Sequence, residues 1–149
     1  MTRILIGNDH RGTDTRELII KWCEGNGHEA VDMGPQKSGS VDYPDYAFPL
    51  AERVAECADG SEVGVLICGW GNGMAIAANK VKGVRAGLCM DPVQAEYARR
   101  HNNANILVVS AEATGWGLMQ EILKSFIETE FDGDRHTRRI GKIAEYEGC

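Results

Sequence analysis

The chain is predicted to fold as an α/β domain: a doubly wound (Rossmann-like), five-stranded parallel sheet with helices on both faces and a C-terminal helical tail. Three features predict it. Five short apolar runs, at residues 3–8, 29–33, 63–68, 84–89 and 106–109, alternate with segments whose apolar residues recur at helical spacing. The runs at 63–68 and 106–109 are apolar throughout, the pattern of strands buried on both faces. The third run passes directly into the Gly-rich turn Cys68-Gly69-Trp70-Gly71-Asn72-Gly73 and then into an Ala-rich segment with good helix propensity. Alternation of this kind calls for a parallel sheet covered on both faces.

Each element has its own signal. The first run leads into Asp9-His10-Arg11-Gly12, and Leu18, Ile19, Trp22 and Cys23 then mark a helix that stops at the glycines of 25–27. After the second strand comes a polar loop at 34–40. Tyr43-Pro44-Asp45-Tyr46 opens a third segment, where Leu50, Ala51, Val54 and Ala55 form a helical stripe with Pro49 expected in its first turn. Asp91-Pro92 suits a helix start, with Asp91 as cap and Pro92 at the first helical position, and that helix should end within residues 100–103. Trp116, Met119, Ile122, Leu123, Phe126 and Ile127 describe a long amphipathic helix. Residues 131–134 break it, and 135–146 form a last, highly charged helix.

Composition narrows the function classes. At 149 residues the chain reads as one domain over 1–149 with room for a real core. A net charge of −6 argues against a nucleic-acid partner or an anionic membrane surface. No apolar run approaches the roughly 20 residues that span a bilayer. Residues 1–6 lead straight into a strand pattern rather than a signal peptide. The five cysteines, Cys23, Cys57, Cys68, Cys89 and Cys149, are odd in number and lack a CxxC pair, so reduced thiols in the cytoplasm are expected.

The candidate chemistry converges on the strand ends. In an open α/β sheet the ligand lies beyond the strands' C-terminal ends, at the switch point between strands one and three. That geometry brings Asp9 and His10 next to residues 68–73. The turn supplies several backbone N–H groups at a helix N-terminus, a setting that favours an anion and a thiolate. Cys68 therefore reads either as a small buried hydrophobe or as an acid/base or nucleophile; Cys23, Cys57 and Cys89 lack such a setting, and Cys149 reads as a free tail thiol. Asp9 can orient an imidazole or bind a hydroxyl. His101 falls at a predicted helix end; His28 and His136 have weaker claims. No HxH, HxxxH or HExxH spacing exists, so no metal site is expected. Arg135, Arg138, Arg139 and Lys142 cluster in an acidic chain: a solvated face paired with Glu145 and Glu147, or a phosphate site. Arg135 and Arg139, at i and i+4, can point two guanidinium forks the same way.

Over essentially its whole length the sequence resembles the type B ribose-5-phosphate isomerases and their relatives, the allose-6-phosphate and galactose-6-phosphate isomerases. The resemblance is carried by Ile6-Gly7-Asn8-Asp9-His10, Val41-Asp42-Tyr43-Pro44-Asp45-Tyr46-Ala47, Ile67-Cys68-Gly69, Gly71, Gly73-Met74, Ala77-Ala78-Asn79-Lys80-Val81, residues 99–105 and Asp134-Arg135-His136-Thr137-Arg138-Arg139. It implies a homodimer, or a pair of dimers, with active sites shared across the interface and no cofactor. Cys68 would move the proton between C1 and C2 of an open-chain phosphorylated sugar. The N–H groups of residues 69–73 would stabilise the enediolate. His101, from the partner subunit, would assist ring opening. Asp9 and Asn102 would hold hydroxyls, His10, Arg135 and Arg139 the phosphate, and Tyr43 would lie near the sugar. The chemistry would run by proton transfer rather than by a metal-assisted hydride shift.

Two positions depart from the pattern: Trp70 replaces a usual Ser or Thr, and Asn72 a usual Ile, Val or Leu. Met90 also stands where many relatives carry a polar or aromatic residue. Trp70 can shorten or cover the pocket, which favours a four-carbon tetrulose phosphate, or turn outward, which admits a hexose 6-phosphate. If it blocks the chemistry, a sugar-phosphate binding module remains. Asn72 can bond a hydroxyl or suit a positive-φ turn. A flavin- or nucleotide-binding domain of the same fold class is a third possibility, although the glycine spacing is not GxGxxG.

Overall fold

The computed structural model describes residues 1–57 and 59–148; Cys149 lies outside the described residues. The element order is β1 (Arg3–Asn8), α1 (Thr13–Gly25), β2 (Glu29–Asp32), α2 (Pro44–Glu56), β3 (Glu62–Cys68), α3 (Asn72–Ala78), β4 (Ala86–Leu88), α4 (Pro92–Asn102), β5 (Ile106–Ser110), α5 (Trp116–Glu128) and α6 (Arg135–Glu147). The strands form one sheet in the order β2-β1-β3-β5-β4, with every pairing parallel. After β1 the chain moves to one side and after β3 to the other, so the crevice above these two strands is the switch point the sequence predicts.

Strand alternation divides the core into two layers. On one face Ile4, Ile6, Val65, Ile67, Leu107 and Val109 pack against Ile19 and Cys23 of α1, Ala95 of α4 and Met119, Ile122, Leu123 and Phe126 of α5. On the other, Leu5, Leu66, Cys68, Ile106 and Val108 meet Leu50, Ala51 and Val54 of α2 and Met74, Ala77 and Ala78 of α3. The sheet is therefore covered on both sides.

Several boundaries differ from the sequence expectation: β3 starts at Glu62, and β5 and α6 run one residue further, to Ser110 and Glu147. β2 ends one residue early, at Asp32. β4 is three residues rather than six, because Arg85 N–H is bonded to the Asn105 side chain (2.8 Å) and Val84 N–H turns back to Val81 (3.1 Å). Pro49 lies inside α2, not in its first turn: Pro44 takes the first helical position and starts the helix five residues earlier. Pro49 and Asp45 are both exposed, so solvent can satisfy the Asp45 carbonyl that the missing N–H leaves free.

α6 stands apart from this core. It touches α4, yet of its residues only His136 is buried. Ile143 is exposed and Tyr146 is 94% exposed, so its apolar stripe has little of this chain to pack on. Among the described residues no helix is long and apolar enough to cross a membrane.

Candidate active site

The C-terminal ends of β1 and β3 open on a cavity of about 220 Å³ lined by Asp9, Arg11, Tyr43, Cys68 and the turn from Gly69 to Gly73. Cys68 is the last residue of β3. It is only 6% exposed, but the little surface it keeps faces this cavity. The peptide after it is pinned from β5: Ala111 N–H donates to the Cys68 carbonyl (3.0 Å), and Glu112 N–H and the Ser110 hydroxyl donate to the Gly69 carbonyl (3.1 and 2.6 Å). With both carbonyls held on the β5 side, the chain turns sharply. Gly71 N–H then comes back to donate to Cys68 Sγ at 3.0 Å.

The turn needs its glycines. Gly71 has φ +89°, and a Cβ placed on it would lie 2.4 Å from Leu88 Cδ1. A Cβ on Gly73 would lie 2.9 Å from Tyr43 Cζ, so the Tyr43 ring rests on bare backbone. Gly71→Ala is expected to cost about 2–4 kcal/mol, combining left-handed strain with the Leu88 clash; chemical denaturation checks it. Gly71 precedes α3, and no side chain caps that helix. The N–H groups of its first turn are thus free of a side-chain partner and open beside Cys68.

Asp9 is set by a small buried network. Asn8 and Arg16, both buried, are joined by Arg16 Nη1 donating to Asn8 Oδ1 (3.0 Å), and the Asn8 amide donates to the Asp9 carbonyl. Asp9 N–H continues the sheet by donating to Ile67 (3.1 Å), and Asp9 Oδ1 accepts from Arg11 N–H (2.9 Å).

The remaining predicted residues are elsewhere. His10 does not line the Cys68 cavity. Its Nδ1 lies 3.3 Å from the Val41 backbone, and it faces a neighbouring depression with Thr13, Arg16 and Gln36. His101 and Asn102 end α4, which runs from the C-terminal end of β4 back to the start of β5. They therefore lie at the other end of the sheet, beside Arg99 and Asn103, which share a cavity with Glu62 at the start of β3. Seven residues of strand separate that end from Cys68, about 20 Å. Arg135 and Arg139, on α6, are exposed and also absent from the Cys68 cavity. The predicted site residues thus fall into two groups at opposite ends of the sheet.

The second group contains residues the sequence undervalued. His101 and His136 stack with ring centroids 4.1 Å apart and planes 11° from parallel. Burial, helped by the positive groups of His101, Arg135 and Arg139, holds His136 below the usual histidine range, with Asp132 opposing. His101, Asp132 and His136 bring ligand-type atoms within 4.8 Å of one another. No sequence spacing announces this cluster, because its members come from α4, the break between α5 and α6, and α6 itself. Asp132, however, is bonded through both oxygens to Arg100 Nε (3.1 and 3.2 Å). With Arg135 and Arg139 also acting on His136, the local field opposes a cation. Arg11 was also missed, although its place beside Asp9 and His10 in one loop was a usable signal.

Residues 4–143 match the family model described as Ribose/Galactose Isomerase. A Bacillus subtilis protein provisionally named a sugar phosphate isomerase is 48% identical over 148 residues, with 97% of each chain covered. The Escherichia coli ribose-5-phosphate isomerase B is 37% identical over 149 residues, covering 99% of this chain and 97% of that one. Among solved structures, ribose-5-phosphate isomerase B of Mycoplasma genitalium with bound ribulose-5-phosphate superposes with a TM-score of 0.94 at 39% identity, over 99% of this chain and 97% of that chain. The fold, the Cys68 turn and these likenesses agree: the chain belongs to the ribose/galactose isomerase family and is an aldose–ketose isomerase.

Proposed function

We propose that this enzyme interconverts ribose 5-phosphate and ribulose 5-phosphate by proton transfer through an enediolate, without a cofactor, in a site completed by a second copy of the chain. One observation carries the proposal: Cys68 Sγ and the uncapped first turn of α3 face the same cavity. Isomerisation needs a base beside the carbon next to the carbonyl and fixed donors for the oxyanion that forms. Cys68 takes the proton from C2 of the open-chain aldose and returns it to C1, while the hydroxyl proton passes from O2 to O1, so that C1 becomes the carbinol and C2 the carbonyl. The N–H groups of residues 69–73 carry the negative charge in between. Asp9 and Tyr43 hold sugar hydroxyls from the same chain.

The partner subunit's His101 and Asn102 assist ring opening and hold a hydroxyl. The partner subunit's Arg135 and Arg139 join His10 on the phosphate. Two guanidinium forks suit a dianion, and binding energy at that end positions the reacting carbons. The half-sites at opposite ends of one chain, together with the bare apolar stripe of α6, favour this assembly.

Ribose 5-phosphate is preferred as substrate because the Mycoplasma genitalium relative binds ribulose-5-phosphate, and because Trp70, 65% exposed at the cavity rim, does not shorten the pocket toward a four-carbon sugar. The test is turnover of four-, five- and six-carbon aldose phosphates. Ribose 5-phosphate is expected to show the highest kcat/KM. A tenfold preference for another sugar overturns the substrate, and binding without turnover of any of them overturns the chemistry. Replacing Trp70 with serine removes the rim's largest side chain. Because Trp70 does not fill the cavity, this is expected to leave the ratio of kcat/KM for hexose 6-phosphates to that for ribose 5-phosphate within about threefold of the wild type.

A further inference from the structure

Arg11 and Glu112 form a charged bridge over the peptide that follows Cys68. Arg11 lies in the loop after β1 and Glu112 in the loop after β5, the two strands that flank β3. Arg11 Nη1 meets Glu112 Oε1 at 3.0 Å. A Cβ on Gly69 would lie 2.8 Å from Arg11 Cδ and 3.7 Å from Glu112 Cγ, so both side chains lie across bare backbone. The Arg11 main chain is fixed by its N–H on Asp9 Oδ1 at 2.9 Å. Arg11 is also the one cationic residue among the described residues that line the Cys68 cavity.

The bridge is well formed but weakly held. Its side chains are 57% and 44% exposed, and an ion pair this open to water contributes little. Its geometry nevertheless presents a planar guanidinium already engaged with an oxyanion at the cavity edge. A phosphate dianion offers that fork more charge than a carboxylate does. Lying across Gly69, Arg11 reaches the site from the same chain as Cys68, whereas Arg135 and Arg139 lie outside this cavity.

We propose that Arg11 is a substrate-binding residue. Its guanidinium exchanges Glu112 for the phosphate of the substrate, and Glu112 is the counter-ion that holds it over Gly69 when the site is empty. The role rests on the isomerase function proposed above and adds to it a phosphate contact from the Cys68-bearing chain.

The two residues make opposite predictions, which a merely structural bridge would not. Inorganic phosphate binding to the full-length protein, measured by calorimetry, is expected to weaken by about 10- to 50-fold in Arg11→Gln, with partial recovery in Arg11→Lys. In Glu112→Gln it is expected to tighten severalfold, because the competing carboxylate is gone. With ribose 5-phosphate, Arg11→Gln should place most of its effect in KM rather than kcat. Thermal midpoints of all three variants should stay within about 3 °C of the wild type, since the pair is exposed. Unchanged phosphate affinity in Arg11→Gln overturns the proposal, as does weakening by Glu112→Gln equal to that by Arg11→Gln. If the wild type turns over no sugar phosphate, the isomerase function fails on its own, and the calorimetry with inorganic phosphate still decides the role of Arg11.

Discussion

Replacing Cys68 with alanine is expected to lower kcat/KM by about 10³–10⁴-fold, the upper range of what one general base supplies. The loss should be chemical, not structural. Cys68 packs among Leu66, Met74 and Val108, and trimming one sulfur from that layer costs on the order of 1 kcal/mol, which leaves the protein folded. Cys68→Ser sharpens the test. A hydroxyl keeps the shape and can still accept the Gly71 N–H bond that the sulfur accepts, but at neutral pH it is not a base. It should therefore bind sugar phosphate with KM near the wild-type value while kcat collapses. Solvent deuterium gives an independent readout. The wild type should wash the label into C1 and C2 during turnover, and both variants should not. Activity in Cys68→Ala within tenfold of the wild type would remove the proposed base.

The cavity around Cys68 was legible because everything that builds it is local. A buried strand, a turn with three glycines and an Ala-rich helix are contiguous, and the parallel-sheet rule places the loop after β1 beside them. What the sequence hid depended on distance or on crowding. Pro49 resembles a first-turn proline until Pro44 is given that position. Val84 and Arg85 have strand composition, yet the Asn105 side chain takes the Arg85 N–H and delays β4. His136 has no metal-ligand spacing to another histidine, and its stack on His101 exists only because α6 folds back on α4. His10 sits next to Asp9 in sequence but meets the Val41 backbone and lines a neighbouring depression, since successive residues of a loop need not face the same side. Arg11 was passed over for the opposite reason: a lone arginine beside two better-known residue types draws no attention until its stem is seen lying over Gly69.

Mixing two inactive variants is expected to restore activity. Cys68→Ala retains His101, and His101→Ala retains Cys68; each alone should lose at least about 100-fold in kcat/KM. The direction of α4 makes the outcome informative. Because that helix returns from the end of β4 to the start of β5, His101 of one chain lies at the sheet end remote from its own Cys68, about a strand length away. No side-chain movement closes such a gap, so the two residues can act together only across an interface. In a two-fold dimer of one variant with the other, both substitutions fall in the same site and the second site is intact. Random co-assembly makes half of the dimers mixed, with one working site in each, so about one quarter of wild-type activity should return. Light scattering should find at least twice the 16.3 kDa chain mass, with the exposed stripe of Ile143 and Tyr146 on α6 buried by assembly. A mixture no more active than its parents, prepared by co-refolding, would show that the cysteine and the histidine do not share a site.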